Sequence, residues 1–96
     1  MNQEGIQFEH AGVALDHEIK GFISSILEKI YSQSPSDAVL KVALKSTKNL
    51  TLATCKIVSQ TGVFIAEASN TNPLQAIMSL EQKIKIQFES WRADRF

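Results

Sequence analysis

Cys55, His10 and His17 are the side chains in this sequence best suited to nucleophilic or acid–base chemistry, and their spacing does not assemble a site. Nucleophilic catalysis needs a base held beside the nucleophile. Cys55 instead stands between Ala53 and Ile57 in an alternating apolar run, where a thiol packs as a small hydrophobe. His10 and His17 flank a loop; one of them could act as a base, but solvated positions in a loop and at a helix start account for both. Asp16 and Glu18 fit helix-start charges better than a catalytic carboxylate pair. One cysteine excludes an internal disulfide, and two histidines beside it leave too few donors for a four-ligand zinc site. Gly5, Gly12, Gly21 and Gly62 are scattered, and none follows a strand with the spacing of a phosphate-cradling loop. The expectation is a protein without enzymatic activity, metal or cofactor.

The basic side chains are the remaining candidates. Lys20 and Lys29 fall in one helical segment, and Lys83, Lys85, Arg92 and Arg95 fall in a second, while Lys41, Lys45 and Lys56 lie in strand-like runs. They serve either as solvated charges, favourable toward a helix C-terminus, or as phosphate contacts. Ten basic and ten acidic residues cancel, so nucleic acid or an acidic membrane would be attracted only by local clustering. No apolar run approaches the ~20 residues of a membrane span, and MNQEGIQFEH lacks the charged and apolar regions of a secretory signal. A soluble, cytoplasmic protein with no membrane partner is expected.

These residues need elements to hold them. With 96 residues, 44% of them hydrophobic, the chain has room for one core, and residues 1–96 read as a single domain. Turn-forming clusters at HAG, SQSPSD, STKN, SQTG and SNTNP divide it into six elements. Ile6 and Phe8 alternate with Gln7 and Glu9 as a short strand. Asp16 is placed to cap a helix in which Ile19, Phe22, Ile23, Ile26, Leu27 and Ile30 recur at helical spacing, ending at Ser-Pro-Ser. Strands are expected over 38–46, with Leu40, Val42 and Leu44 against Lys41 and Lys45, then over 50–58 and 63–69, the last two joined as a hairpin. Asn72 caps the final helix with Pro73 at its first position, and Ile77, Leu80, Ile84, Phe88 and Trp91 form its apolar stripe. Ala66 and Ala68 leave room for a helix to lie close over the sheet. The predicted class is α+β in the order β-α-β-β-β-α: a four-stranded mixed sheet, strands one and two parallel and the rest antiparallel, with two helices packed on one face.

That order, with VLKVAL as the second strand, a short TG hairpin, FIAEA as the fourth strand and LQAIMSLEQKIKIQF in the last helix, resembles the ribosome hibernation-promoting factors. These are also called ribosome-associated inhibitors or sigma-54 modulation proteins. The similarity spans nearly the whole chain. The double-stranded RNA-binding domain has a related layout, but it begins with a helix and carries a Lys-Lys cluster that this chain lacks where its last helix starts. The resemblance implies a stress-response protein that binds the small ribosomal subunit near the decoding region, with basic side chains of both helices against ribosomal RNA, and silences translation. It carries over to Lys20, Lys29 and Lys83, with Gln87 as the usual neighbour of the last. Lys85, Arg92 and Arg95 extend the candidate RNA-binding set.

The chain departs from the family pattern at four positions. Ile26, Ile86 and Ser90 stand where Lys or Arg is expected, and Ser32 does the same at the end of the first helix. Each lost phosphate contact weakens binding at physiological salt through counterion release. The alternative is a diverged relative whose helix face, with Phe22, Ile26 and Ile86, binds a protein partner or a second copy. A continuous positive groove across Lys20, Lys29, Lys83 and Lys85 would favour RNA, and an apolar or neutral groove would favour the alternative.

Overall fold

The computed structural model describes residues 5–10 and 12–95, without the side chains of 94 and 95. The elements run β1 (Ile6–Glu9), α1 (His17–Gln33), β2 (Val39–Thr47), β3 (Leu50–Ser59), β4 (Gly62–Asn70) and α2 (Pro73–Arg95), the expected β-α-β-β-β-α order. The four strands form one sheet in the order β1-β2-β3-β4. β1 runs parallel to β2, whereas β2–β3 and β3–β4 are antiparallel.

Both hairpins are tighter than the sequence pattern suggests. Thr47 pairs with Leu50 and Ser59 with Gly62, so only Lys48–Asn49 and Gln60–Thr61 turn the chain. Polar turn-formers at the strand ends still have backbone groups to satisfy, and the ladder recruits them. β2 therefore reaches Thr47 rather than Ser46, β3 reaches Ser59, and β4 extends from Gly62 to Asn70. Two-residue hairpin loops need a positive φ. Lys48 supplies it in the first loop at φ 51°, whereas at the second hairpin the positive φ falls just past the loop, on Gly62 at 154°.

Helix boundaries follow from capping. The Asp16 Oδ1 accepts the Ile19 N–H at 2.8 Å, satisfying one of the orphan donors at the start of α1. At the other end Ser34 lies outside the helix, held by its Oγ donating to the Ile30 carbonyl at 2.9 Å, and Pro35 forbids a further turn. In α2 the Asn72 Oδ1 accepts from the N–H groups of Leu74 and Gln75, at 2.9 and 3.2 Å, and Pro73 takes the first position.

One hydrophobic cluster joins these elements. Leu40, Val42 and Leu44 of β2, Ala53, Cys55 and Ile57 of β3, and Phe64, Ala66 and Ala68 of β4 form the floor. Ile23, Leu27 and Ile30 cover it from α1, and Ala76, Ile77, Leu80, Ile84 and Phe88 cover it from α2. Each fully buried large side chain contributes about 2–3 kcal/mol. The alanines of β4 and Ala76 permit the close passage of α2 over β4 and β3 that their size suggested. Phe64 anchors the far end, edge-on to Phe88 at 5.1 Å and to Trp91 at 6.0 Å between ring centroids. Trp91 is half-buried, at the rim of the stripe to which its spacing assigned it.

Both helices lie on one face, leaving a two-layer molecule about 17 Å deep along its short axis. The β4 edge is closed by α2. The Lys83 Nζ donates to the Glu67 carbonyl at 2.6 Å, and the Gln87 Nε2 donates to the Ile65 carbonyl at 2.8 Å. Two outward carbonyls of an edge strand are thereby occupied.

Candidate functional site

The residues suited to covalent or acid–base chemistry stay apart. Cys55 is buried on the central strand β3, and desolvation pushes its thiol from 9.0 up to about 12, which suppresses the reactive thiolate. The His10 Nδ1 lies 3.3 Å from the Val13 carbonyl, and the ring packs against Phe8 at 5.4 Å. His17 is exposed on the first turn of α1. No group of three or more His, Cys, Asp or Glu side chains among the described residues could hold a metal ion. No helix among them is long and apolar enough to cross a membrane.

The helix pair gives the basic residues their arrangement. Lys29 and Glu81 meet at 3.4 Å, and further along both helices the Arg92 Nη2 lies 3.5 Å from the Gln33 carbonyl. The two contacts occur in the same chain order, so α1 and α2 run in the same direction side by side. Between them opens a small groove of about 80 Å³ lined by Lys29, Gln33, Glu81, Gln82 and Lys85 over the buried Ile84 and Phe88. Lys29, Lys85 and Arg92 are thus brought to one seam together with two acids, Glu81 paired to Lys29 and Glu89 four residues after Lys85 on the same face of α2. Because the Lys29 side chain is largely exposed, the ion pair contributes at most about 1 kcal/mol and leaves the lysine available to other anions.

Other candidates sit elsewhere. An α-helix turns about 100° per residue, so Lys20, nine positions before Lys29, projects from the opposite flank of α1. Lys83 is two positions from Lys85 and faces the β4 edge instead of the groove. Arg95 is the last residue of α2, and its side chain lies outside the described residues. Lys20, Lys29, Lys83 and Lys85 therefore do not form one continuous groove; Lys29 and Lys85 line the seam, and Lys20 and Lys83 face away from it.

The apolar alternative is also divided. Phe22 is 55% exposed and Ile86 65% exposed, while Ile26 is half-buried against the core. Phe22 lies seven residues before Lys29 and Ile86 five residues after Glu81. At ~1.5 Å per residue this separates them by roughly 18 Å along the helix pair. The Lys29–Glu81 pair stands between them, so the three residues do not form one patch.

Sequence reasoning missed two features. Glu81 precedes Lys85 by four residues, a spacing that hinted at a local pair, but its contact with Lys29 depends on helix packing. The roles of Lys83 and Gln87 at the β4 edge carried no local signal, because their acceptors lie 16 and 22 residues away.

No family model matches the chain, and no curated protein matches it in sequence. Solved structures do match. A ribosomal subunit interface protein from Coxiella burnetii superposes with a TM-score of 0.76 at 15% identity, over 92% of this chain and 97% of that one. The N-terminal domain of Protein Y from Thermus thermophilus superposes with a TM-score of 0.74 at 14% identity, over 95% of this chain and 99% of the other. At this identity the likeness establishes a shared fold over nearly the full length.

Proposed function

We propose that this chain is a diverged hibernation-promoting factor that binds the small ribosomal subunit, occupies ribosomal RNA near the decoding region and silences translation without chemistry of its own. The observation that carries the reading is the basic seam of Lys29, Lys85 and Arg92, on a fold shared with a protein named for the ribosomal subunit interface. A cytoplasmic site of action follows from that partner.

In this reading the seam meets RNA phosphates. Arg92 offers a planar fork of donors, and the two lysines act as compact point charges. Lys20, on the opposite flank of α1, and Arg95, at the end of α2, engage phosphates outside the seam. Lys83 adds a contact from the β4 side, since an ammonium that donates to one carbonyl keeps two further donors. Ile26, Ile86, Ser32 and Ser90 supply none of the charge that the family pattern places there. Six such phosphate contacts give a log–log salt slope of roughly −4 to −5.

Co-sedimentation with purified small subunits across a salt series tests the proposal. Association at low salt, released with a slope in that range, is expected. Absence of binding at low salt would refute it. The division of Phe22 from Ile86 gives the helix-face protein interface no comparable support.

A further inference from the structure

We propose that the helix-free face of the sheet is a self-docking surface, on which a second copy of this chain packs face to face. Its charged pairs set Lys41 and Lys56 of each copy against Glu9 and Glu67 of the other. The inference goes beyond ribosome binding and is independent of it, because the basic seam lies on the opposite side of the molecule.

A sheet with one solvated face normally carries polar side chains there. This face instead mixes charged side chains with large apolar ones. Val39, Val58 and Val63 form one outward row across β2, β3 and β4, with Ile65 beside it and Leu50 and Leu52 toward the far end. Val58, Val63 and Ile65 are 37%, 54% and 61% exposed. These side chains add nothing to the core, which occupies the other face.

The charges on this face form a pattern that the described residues leave unneutralised. Lys41 and Lys56 are direct cross-strand partners, an arrangement that destabilises a sheet through like-charge repulsion. Among the described residues the ion pair within 4.0 Å is Lys29–Glu81, so neither strand lysine is paired with a described carboxylate. The next row runs Glu9–Ala43–Thr54–Glu67, with acids at both edges and small residues between.

A two-fold axis lying in the interface across the strands, between these two rows, lays each strand over its own counterpart. Lys41 then extends over the second copy's Ala43, beside that copy's Glu9 on the adjacent strand. Lys56 extends over the second copy's Thr54, beside its Glu67. The small side chains leave space for the lysine stems, and an open hollow of about 420 Å³ lies between Gln7, Glu9, Lys41, Thr54, Lys56 and Ile65. Val58 meets the second copy's Leu52. Self-complementarity of one patch is what a two-fold interface requires.

Four strands ~4.8 Å apart present roughly 500 Å² per copy, about 1,000 Å² in total, below the ~1,200 Å² of stable interfaces and in the range of weak, transient ones. The expected association is therefore reversible, with a Kd in the micromolar range.

Sedimentation velocity of the full chain from about 1 to about 500 µM tests this, with a monomer–dimer transition expected in that range. Val58→Asp should raise the Kd at least tenfold. The Lys41→Glu/Lys56→Glu variant and the Glu9→Lys/Glu67→Lys variant should each be monomeric alone and should pair when mixed. Circular dichroism checks that each variant is folded, and the mixing experiment decides even if Val58→Asp is not. A monomer at every concentration, a Val58→Asp protein that associates like the parent, or charge variants that fail to pair on mixing would overturn the proposal. Loss of ribosome binding with the dimer intact would instead count against the ribosomal reading alone.

Discussion

The chemistry of Cys55 offers a stringent check on strand register. Its side chain is 2% exposed, and burial moves its pKa from 9.0 to about 12. At pH 8 that rise leaves the folded protein with about 10³-fold less thiolate than an unfolded chain. Reaction with a thiol reagent at pH 8 should therefore be at least 10³-fold slower in native buffer than in denaturant, before steric exclusion adds to the effect. The same rise couples stability to pH. Between about 9 and 12 the unfolded thiol releases its proton while the folded one keeps it, so stability falls as pH rises through that window. The loss amounts to about 1.4 kcal/mol for each pH unit and about 4 kcal/mol across the window. Guanidinium titrations at pH 7 and pH 10 should differ by about 1.4 kcal/mol more for the parent than for Cys55→Ala, which has no thiol to ionise. Native labelling within tenfold of the unfolded rate, or identical pH dependence of the two proteins, would mean that Cys55 faces solvent and that the opposite sheet face holds the core.

Three further substitutions test local features. Gly5→Ala places a Cβ against the hydroxyl end of Tyr31, closer than van der Waals contact allows, so tyrosine or β1 must shift; a stability loss of about 1–3 kcal/mol is expected by denaturant titration. Lys48→Gly removes a side chain from the left-handed turn position at φ 51° and should stabilise the protein by about 0.5 kcal/mol, read as a higher denaturation midpoint. Lys83→Met with Gln87→Met strips both hydrogen bonds from the β4 edge; about 1–2 kcal/mol should be lost, with faster amide exchange in β4 as the residue-level readout.

The fold was legible because local signals agreed. Asp16 and Asn72 are capping residues in fact as in pattern, and the alternation through Leu40, Val42 and Leu44 assigned the buried face of β2 correctly. Short-range periodicity records which face of an element is apolar, and the core follows from that. Strand ends were less legible, since residues such as Thr47 and Ser59 read as turn formers yet pair in the ladder. The candidate site was readable only as a set of basic positions. Whether Lys83 and Lys85 share a surface depends on helix phase against the sheet, and the packing directs one to the β4 edge and the other to the groove. The outward valines of β3 and β4 were visible in the sequence, but their union into one row required the strand register.

The central claim, that the seam between α1 and α2 is the ribosome-binding surface, is tested most directly by the affinity of purified small subunits for Lys29→Glu/Lys85→Glu, with Lys45→Glu as the control on the helix-free face. Reversing two seam charges should weaken binding at least tenfold at about 0.1 M salt and flatten the salt dependence by about two contacts, while Lys45→Glu binds like the parent. Equal affinities for the seam variant and the control would contradict the account.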